Sequence, residues 1–218
     1  MLVMFLCMIV GFLANKLKLA PENAATVLSK LENYFLVPAL IINTFMKYCT
    51  VSSVTEQYKL ILYCLAALVI ALAVALPLSK VFAGDDGYKR NIYKYALAFG
   101  NFSFMGNAIV PAIMGDSMLY NYMLYILPLN VAVYTWGVII LIPKGEKTQN
   151  PLKNLLNPIF ISILIGAFLG LSGLSESVPS FIRQTISSLS SCMGPLAMIL
   201  TGFVIGSYDI AGLLKNKK

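Results

Sequence analysis

Asn101 and Asn107 are the side chains of this sequence best suited to hold a ligand. They stand in Gly100-Asn-Phe-Ser-Phe-Met-Gly-Asn-Ala-Ile-Val-Pro-Ala-Ile-Met-Gly115, inside an apolar run of membrane length. A side-chain amide offers two donors and an acceptor, a set suited to a carboxylate in a polar cavity. Gly100 and Gly106 let the backbone come close to a ligand. Pro111 has no N–H, and its ring clashes with the carbonyl four residues back, that of Asn107. A helix that restarts near Pro111 would aim its positive dipole end at an anion. The chemistry in view is binding. The competing account is that asparagines and small residues simply glue helices together.

Further amides stand in neighbouring apolar runs. Asn43 follows Pro38 by five residues. Pro38 frees the carbonyl of Tyr34 and is expected to kink its helix. Asn130, Tyr134 and Thr135 follow Pro128, a second expected kink, and precede the lone Trp136. Tyrosine and tryptophan also serve as interface and packing residues. Gly166-Ala-Phe-Leu-Gly170 and Gly202-Phe-Val-Ile-Gly206 have the spacing that allows close helix approach, within the chain or between two copies.

Bond-making chemistry finds little support. The chain has no histidine, and Cys7, Cys49, Cys64 and Cys192 are scattered without a CxxC. That argues against a metal centre, a disulfide framework and a serine–histidine site. No enzyme activity and no cofactor are expected.

The elements that carry these residues are membrane helices. Of 218 residues 59% are hydrophobic and 11% charged, against about 25% charged in a soluble domain. Seven spans are expected, at 1–15, 34–48 with a front reaching to about 29, 58–82, 93–115, 120–142, 157–174 and 182–207. The connections are short, so the chain reads as one membrane domain over 1–218. The net charge of +7 does not indicate nucleic acid, because the basic residues sit in short pieces between apolar runs. Thirteen of the sixteen lie in the odd connections and the C-terminal tail. The other three are Lys47, Lys59 and Arg183. The positive-inside rule then sets the N-terminus outside and the C-terminus in the cytoplasm, across the plasma membrane.

The nine carboxylates, Glu32 among them, fall in connections or near the expected span ends. No span has an acid at its centre, the usual sign of a proton relay or cation site. The first run is too short to cross ~30 Å as a straight helix, so the chain is expected to begin part-way through that helix. No signal peptide is evident, since the apolar start lacks a basic lead and a cleavage-type end.

An internal repeat is visible. Ile9-Val-Gly-Phe-Leu-Ala-Asn-Lys-Leu-Lys-Leu19 aligns with Leu164-Ile-Gly-Ala-Phe-Leu-Gly-Leu-Ser-Gly-Leu174, and Val37-Pro-Ala-Leu-Ile-Ile42 aligns with Gly194-Pro-Leu-Ala-Met-Ile199. The first and second spans match the sixth and seventh. Five helices separate the copies, so the second copy is inverted, as in many secondary transporters. A broken helix with amides at mid-depth belongs to the same design, and points to solute transport.

Three stretches make the sequence resemble the auxin efflux carrier family, which includes plant PIN-type carriers and bacterial malonate-type permeases. They are Gly11–Leu19 with Leu28-Ser-Lys-Leu31 and Tyr34–Leu40; Gly100–Gly106 with Pro111; and Asn157-Pro158 with Gly194–Ala197. The resemblance implies an all-α inverted-repeat transporter of ten helices. Helices one, two, six and seven (here 1–48 and 157–207) would form a scaffold that dimerises. Helices three to five (here 58–142) would belong to a transport domain. Broken helices four and nine would cross at the substrate site, and the stretch after Pro38 would face it. Helices eight to ten are absent from this sequence, so it is expected to be a fragment, a truncated product or one piece of a split carrier. The function implied is alternating-access transport of a small organic anion. A non-transporting scaffold or regulatory subunit is the alternative, and a seven-helix receptor fits only the span count and the outside N-terminus.

Overall fold

The structure, a computed structural model, describes residues 1–21, 23–142 and 156–208. Seven helical elements follow in order: α1 (Leu2–Lys16), α2 (Ala24–Tyr48), α3 (Val51–Ala83), α4 (Gly87–Met114), α5 (Asp116–Leu141), α6 (Pro158–Leu171) and α7 (Ser180–Ser207). Helices α2, α3, α4, α5 and α7 are long and apolar enough to span a membrane; α1 and α6 are shorter apolar helices. Seven helices thus stand where seven spans are expected, and among the described residues five of them have the length to cross a membrane. Lys144, Lys147, Lys153, Lys215, Lys217 and Lys218, which contribute to the expected orientation, lie outside the described residues, as do the carboxylates Glu22, Glu146 and Asp209.

Local chemistry sets the helix starts. Thr50 Oγ1 accepts from the Ser53 amide, and Ser53 Oγ accepts from the Thr50 amide, so α3 opens on a reciprocal cap. Asp86 Oδ1 accepts from the amides of Tyr88 and Lys89 and caps α4. Asn157 Oδ1 accepts from the Phe160 amide, and Pro158 occupies the first position of α6.

Three of the long helices are irregular inside. In α2 a π-turn covers Glu32–Leu36, just ahead of Pro38, and the Val37 amide reaches back to the Glu32 carbonyl. The proline leaves the Tyr34 carbonyl without its usual donor, and a wider turn takes up the mismatch. In α5 the π-turn lies at Val133–Gly137, beyond Pro128 rather than at it.

The third irregularity corrects an expectation. Helix α4 is interrupted at Phe99–Asn101 and restarts at Phe102; it does not restart near Pro111, which lies inside the second half, Phe102–Met114. The break comes earlier, at Phe99. Gly100 follows Phe99, held extended at φ −120° and ψ 103°, so the chain leaves helical geometry a full turn and more before the proline.

Glu32 is a second correction. It does not lie near a span end, because α2 begins at Ala24 and the residue stands eight positions later. At 1.5 Å per residue this is about 12 Å into the helix. The polar pair Lys30 and Glu32 suggests a connection, but Lys30 is exposed while Glu32 turns to the protein interior with Leu36 and Val37.

Packing falls into two groups. Helices α1 and α7, α2 and α6, and α2 and α7 pack on one another, as do α3 and α4, α3 and α5, and α4 and α5. The second half of α4 touches α7, and α5 touches α2, which joins the groups. Glycines set the closest crossings. A Cβ at Gly11 would run into the Ile199 backbone, and one at Gly202 into the Met8 carbonyl. Gly206 rests on Asn15 and the Phe12 carbonyl. Gly166 rests on Ile42 and Phe45, and Gly170 on the carbonyls of Phe45 and Cys49. Both GxxxG motifs therefore pack within the chain.

Gly202→Val should lower the thermal midpoint in detergent by several degrees, since overpacking a tight contact costs about 1–3 kcal/mol. Gly87→Ala, whose added Cβ meets nothing within 4 Å, should leave it unchanged. Equal midpoints would contradict the α1–α7 crossing.

Candidate functional site

Two cavities open where the packing groups meet. The first, about 230 Å³, lies toward the end of α2 and the start of α7. Asn43, Thr44 and Lys47 line it from α2, Asn107 and Pro111 from α4, and Ser187, Ser190 and Ser191 from α7. Asn43 Nδ2 donates to Ser190 Oγ at 3.2 Å and ties α2 to α7 across the wall. Asn107 is only 3% exposed, and its Oδ1 has no hydrogen-bond partner. An unpaired buried amide oxygen costs on the order of 1–3 kcal/mol, so Asn107 is poised for a partner that the described residues do not supply.

A wider vestibule of about 510 Å³ shares Asn43, Lys47 and Ser187 with this cavity and adds Arg183, Gln184 and Glu176. Its two cations, Lys47 and Arg183, face two acids, Glu176 here and Asp116 in the inner cavity. Among the described residues none of these four forms an ion pair within 4 Å.

The second cavity, about 180 Å³, surrounds the interruption of α4. Gly100, Asn101, Phe102 and Ser103 line it from α4, Asn33 and Val37 from α2, and Asn130, Val133 and Tyr134 from α5. No side chain caps the helix that restarts at Phe102, although Asn101 occupies the cap position. The first amides of that helix and its positive dipole end therefore remain available beside the cavity. Asn130 is 5% exposed.

The sequence-predicted residues thus divide. Asn43, Asn107 and Pro111 share the first cavity; Gly100, Asn101 and Asn130 share the second. Gly106 lines neither. It makes room for Tyr122, whose ring would collide with a Cβ there and whose hydroxyl donates to the Phe102 carbonyl at 2.6 Å. Tyr134 lines the second cavity and meets Phe160 edge-on at 6.0 Å. Thr135 returns its hydroxyl to the Val131 carbonyl, and Trp136 packs on Phe99.

Sequence reasoning missed the serines of α7 and the cations of the vestibule. Both left signals. Ser187-Ser-Leu-Ser-Ser191 is a polar run inside a span. Lys47 and Arg183 are two of the three basic residues that break the positive-inside pattern.

The profile of a family described as membrane transport protein matches residues 1–215. The chain belongs to that family. It is the auxin efflux carrier type of transporter to which the Gly100 motif and its companions point. No curated protein matches the chain. A multi-pass membrane protein of a transport family, rather than of an enzyme family, accounts for the apolar helices and for cavities lined by amides and hydroxyls.

The two glycines of the motif should respond differently to a methyl group. Gly100→Ala meets nothing within 4 Å, whereas Gly106→Ala strikes Tyr122 and disturbs its hydrogen bond. Thermal melts in detergent should show a drop of several degrees for Gly106→Ala and less than 1 °C for Gly100→Ala, since uncrowded substitutions usually fall within about 0.5 kcal/mol. A reversed order would overturn the placement of α4 against α5.

Proposed function

We propose that this membrane transport protein carries a small organic anion across the plasma membrane by alternating access. Asn107 carries the reading: its amide stands in a cavity between two packing groups, next to Asn43 and three serines, with the acceptor Oδ1 unpaired among the described residues, so the side chain is free to turn its Nδ2 donor to a carboxylate. Amide and hydroxyl donors recognise a carboxylate without burying a fixed opposite charge. Lys47 and Arg183 in the adjoining vestibule offer cationic contacts to an incoming anion, beside the acids Glu176 and Asp116. The restart of α4 at Phe102, with Gly100, Asn101 and Asn130 around it, offers a second anion-favouring position deeper in the helix bundle. Pro111 shapes the first cavity, and Gly106 serves the helix that bears Asn107.

In this reading α1, α2, α6 and α7 form the scaffold and α3, α4 and α5 move against it. Pseudo-symmetric contacts support an inverted repeat. Gly11 meets Ile199 and Gly166 meets Ile42, positions related by offsets of 155 (166 minus 11) and 157 (199 minus 42). Gly206 meets Asn15 and Gly170 meets Cys49, positions related by the same two offsets, 155 (170 minus 15) and 157 (206 minus 49). The proposed setting includes the lipid bilayer, an outside N-terminus, a cytoplasmic C-terminus and a homodimer through scaffold helices.

The test is uptake of labelled malonate, succinate and acetate into proteoliposomes holding the full chain. Asn107→Ala should reduce the affinity for the transported acid about tenfold to a hundredfold, the range for losing a hydrogen bond to a charged group. Unchanged uptake would remove Asn107 from the site. Absence of uptake by the intact chain would favour a non-transporting scaffold or regulatory subunit.

A further inference from the structure

Glu32 is the one carboxylate of the described residues that is fully covered by protein, with 0% exposure. Neither of its oxygens has a hydrogen-bond partner among the described residues. The turn that bears it packs against α6 and α7. Helix α6 carries no titratable side chain. Helix α7 carries Arg183 and Cys192. The Asn43–Ser190 hydrogen bond fixes the register of α2 on α7. Glu32 lies eleven residues from Asn43 toward one membrane face, roughly 16 Å at 1.5 Å per residue. Arg183 lies seven residues from Ser190 toward the other face, roughly 10 Å further. Cys192 is exposed and stands near the Asn43 level. On α2 itself Lys30 is exposed on a different face, since residues two apart do not face each other. Lys47 and Tyr48 lie at the far end of the helix, and Tyr34 points outward with 60% exposure.

An ionised carboxylate in that position would be both desolvated and unpaired, which proteins avoid by neutralising the group. A structural carboxyl kept for packing alone would gain from replacement by an apolar side chain. A titratable group inside a membrane helix marks a function unless a partner explains it, and among the described residues none does. The position adds to this. Glu32 opens the π-turn of α2, and π-turns in helices are frequent at functional sites. The same turn places Asn33 and Val37 at the cavity around the α4 interruption.

We propose that Glu32 is a proton-binding site that couples proton movement to anion transport. In the conformation described the carboxyl holds a proton. When the contact of α2 with α6 and α7 loosens, water reaches the group and the proton leaves to that side. One proton then accompanies the anion through the cycle and offsets its charge. This inference rests on the transport function proposed above, and two measurements separate the two.

The first is the infrared spectrum of the full chain in lipid at neutral pH. The five other side-chain carboxyls of the described residues, Glu56, Asp85, Asp86, Asp116 and Glu176, are all exposed. A neutral carboxylic-acid carbonyl band should be present in the wild type and absent in Glu32→Gln. No such band in the wild type, or an unchanged band in the variant, overturns the assignment; the wild-type reading does not require the variant to fold. The second is uptake of labelled malonate with and without an inward proton gradient. Wild-type accumulation should rise at least fivefold with the gradient, and Glu32→Gln should lose that rise while keeping malonate exchange. Uptake indifferent to the gradient overturns the coupling alone. No uptake under any condition overturns the transport reading and the coupling with it, while the carbonyl band still decides whether Glu32 is protonated.

Discussion

Backbone-to-backbone contact at glycine is the constraint from which the rest of this structure follows. Lipid tails are as apolar as leucine, so burying more leucine between helices yields little in a membrane. Close approach must come from residues without side chains. Gly11, Gly202 and Gly206 allow α1 to lie directly on α7, and Gly166 and Gly170 do the same for α6 on α2. With those four helices locked, the inward faces of α2 and α7 have fixed positions. Leu36, Val37, Leu40, Met193, Ala197 and Met198 can then form one buried cluster. The second half of α4 docks onto that cluster through Ala108, which has no exposed surface.

A helix in lipid satisfies its own backbone, so each irregular turn needs cover from protein or a lined cavity. The irregular turns of α2, α4 and α5 converge. Asn33 and Val37 belong to or border the first, Gly100 and Asn101 form the second, and Val133 and Tyr134 open the third; all line one cavity of about 180 Å³. Three independent interruptions at one place are costly unless the place has a use. Helix restarts, amides and wide turns supply polar groups at a depth where a continuous helix would supply none.

The sequence displayed the helices and the unusual helix plainly, because membrane spans are set by apolar run length and turns by glycine and proline. It displayed the site unevenly. Asn107 and Asn43 share a cavity although 64 residues (107 minus 43) separate them, a pairing that only tertiary packing creates. Asn101 and Asn107 are neighbours in sequence but line different cavities, because the helix between them restarts and carries Asn107 past the Asn101 level. Gly106 appeared suited to a ligand and instead admits Tyr122, since a missing Cβ serves any close neighbour. Glu32 was hidden by its polar company. Lys30 beside it suggests a connection, and the helical face that turns the two apart becomes visible only when α2 is seen to begin at Ala24.

Charge placement ties these parts together. Apart from Glu32, no described residue combines a charged side chain with full burial. The vestibule instead keeps Lys47 exposed and Arg183 half-buried, where water supports their charge and the field still reaches the cavity. An anion drawn in by those cations meets neutral amides and hydroxyls further on, which hold it without the strong pairing that would trap it. A carrier must release what it binds, so fixed charge at the mouth and neutral donors inside suit a transporter better than the reverse. The one acid left deep in the protein is set apart from that route, against α6 and α7 rather than in either cavity. Asp116 and Glu176 already line the route, both exposed to water beside Lys47 and Arg183; a carboxylate placed behind the wall adds no further repulsion to it and can change its proton with the motion of the helices.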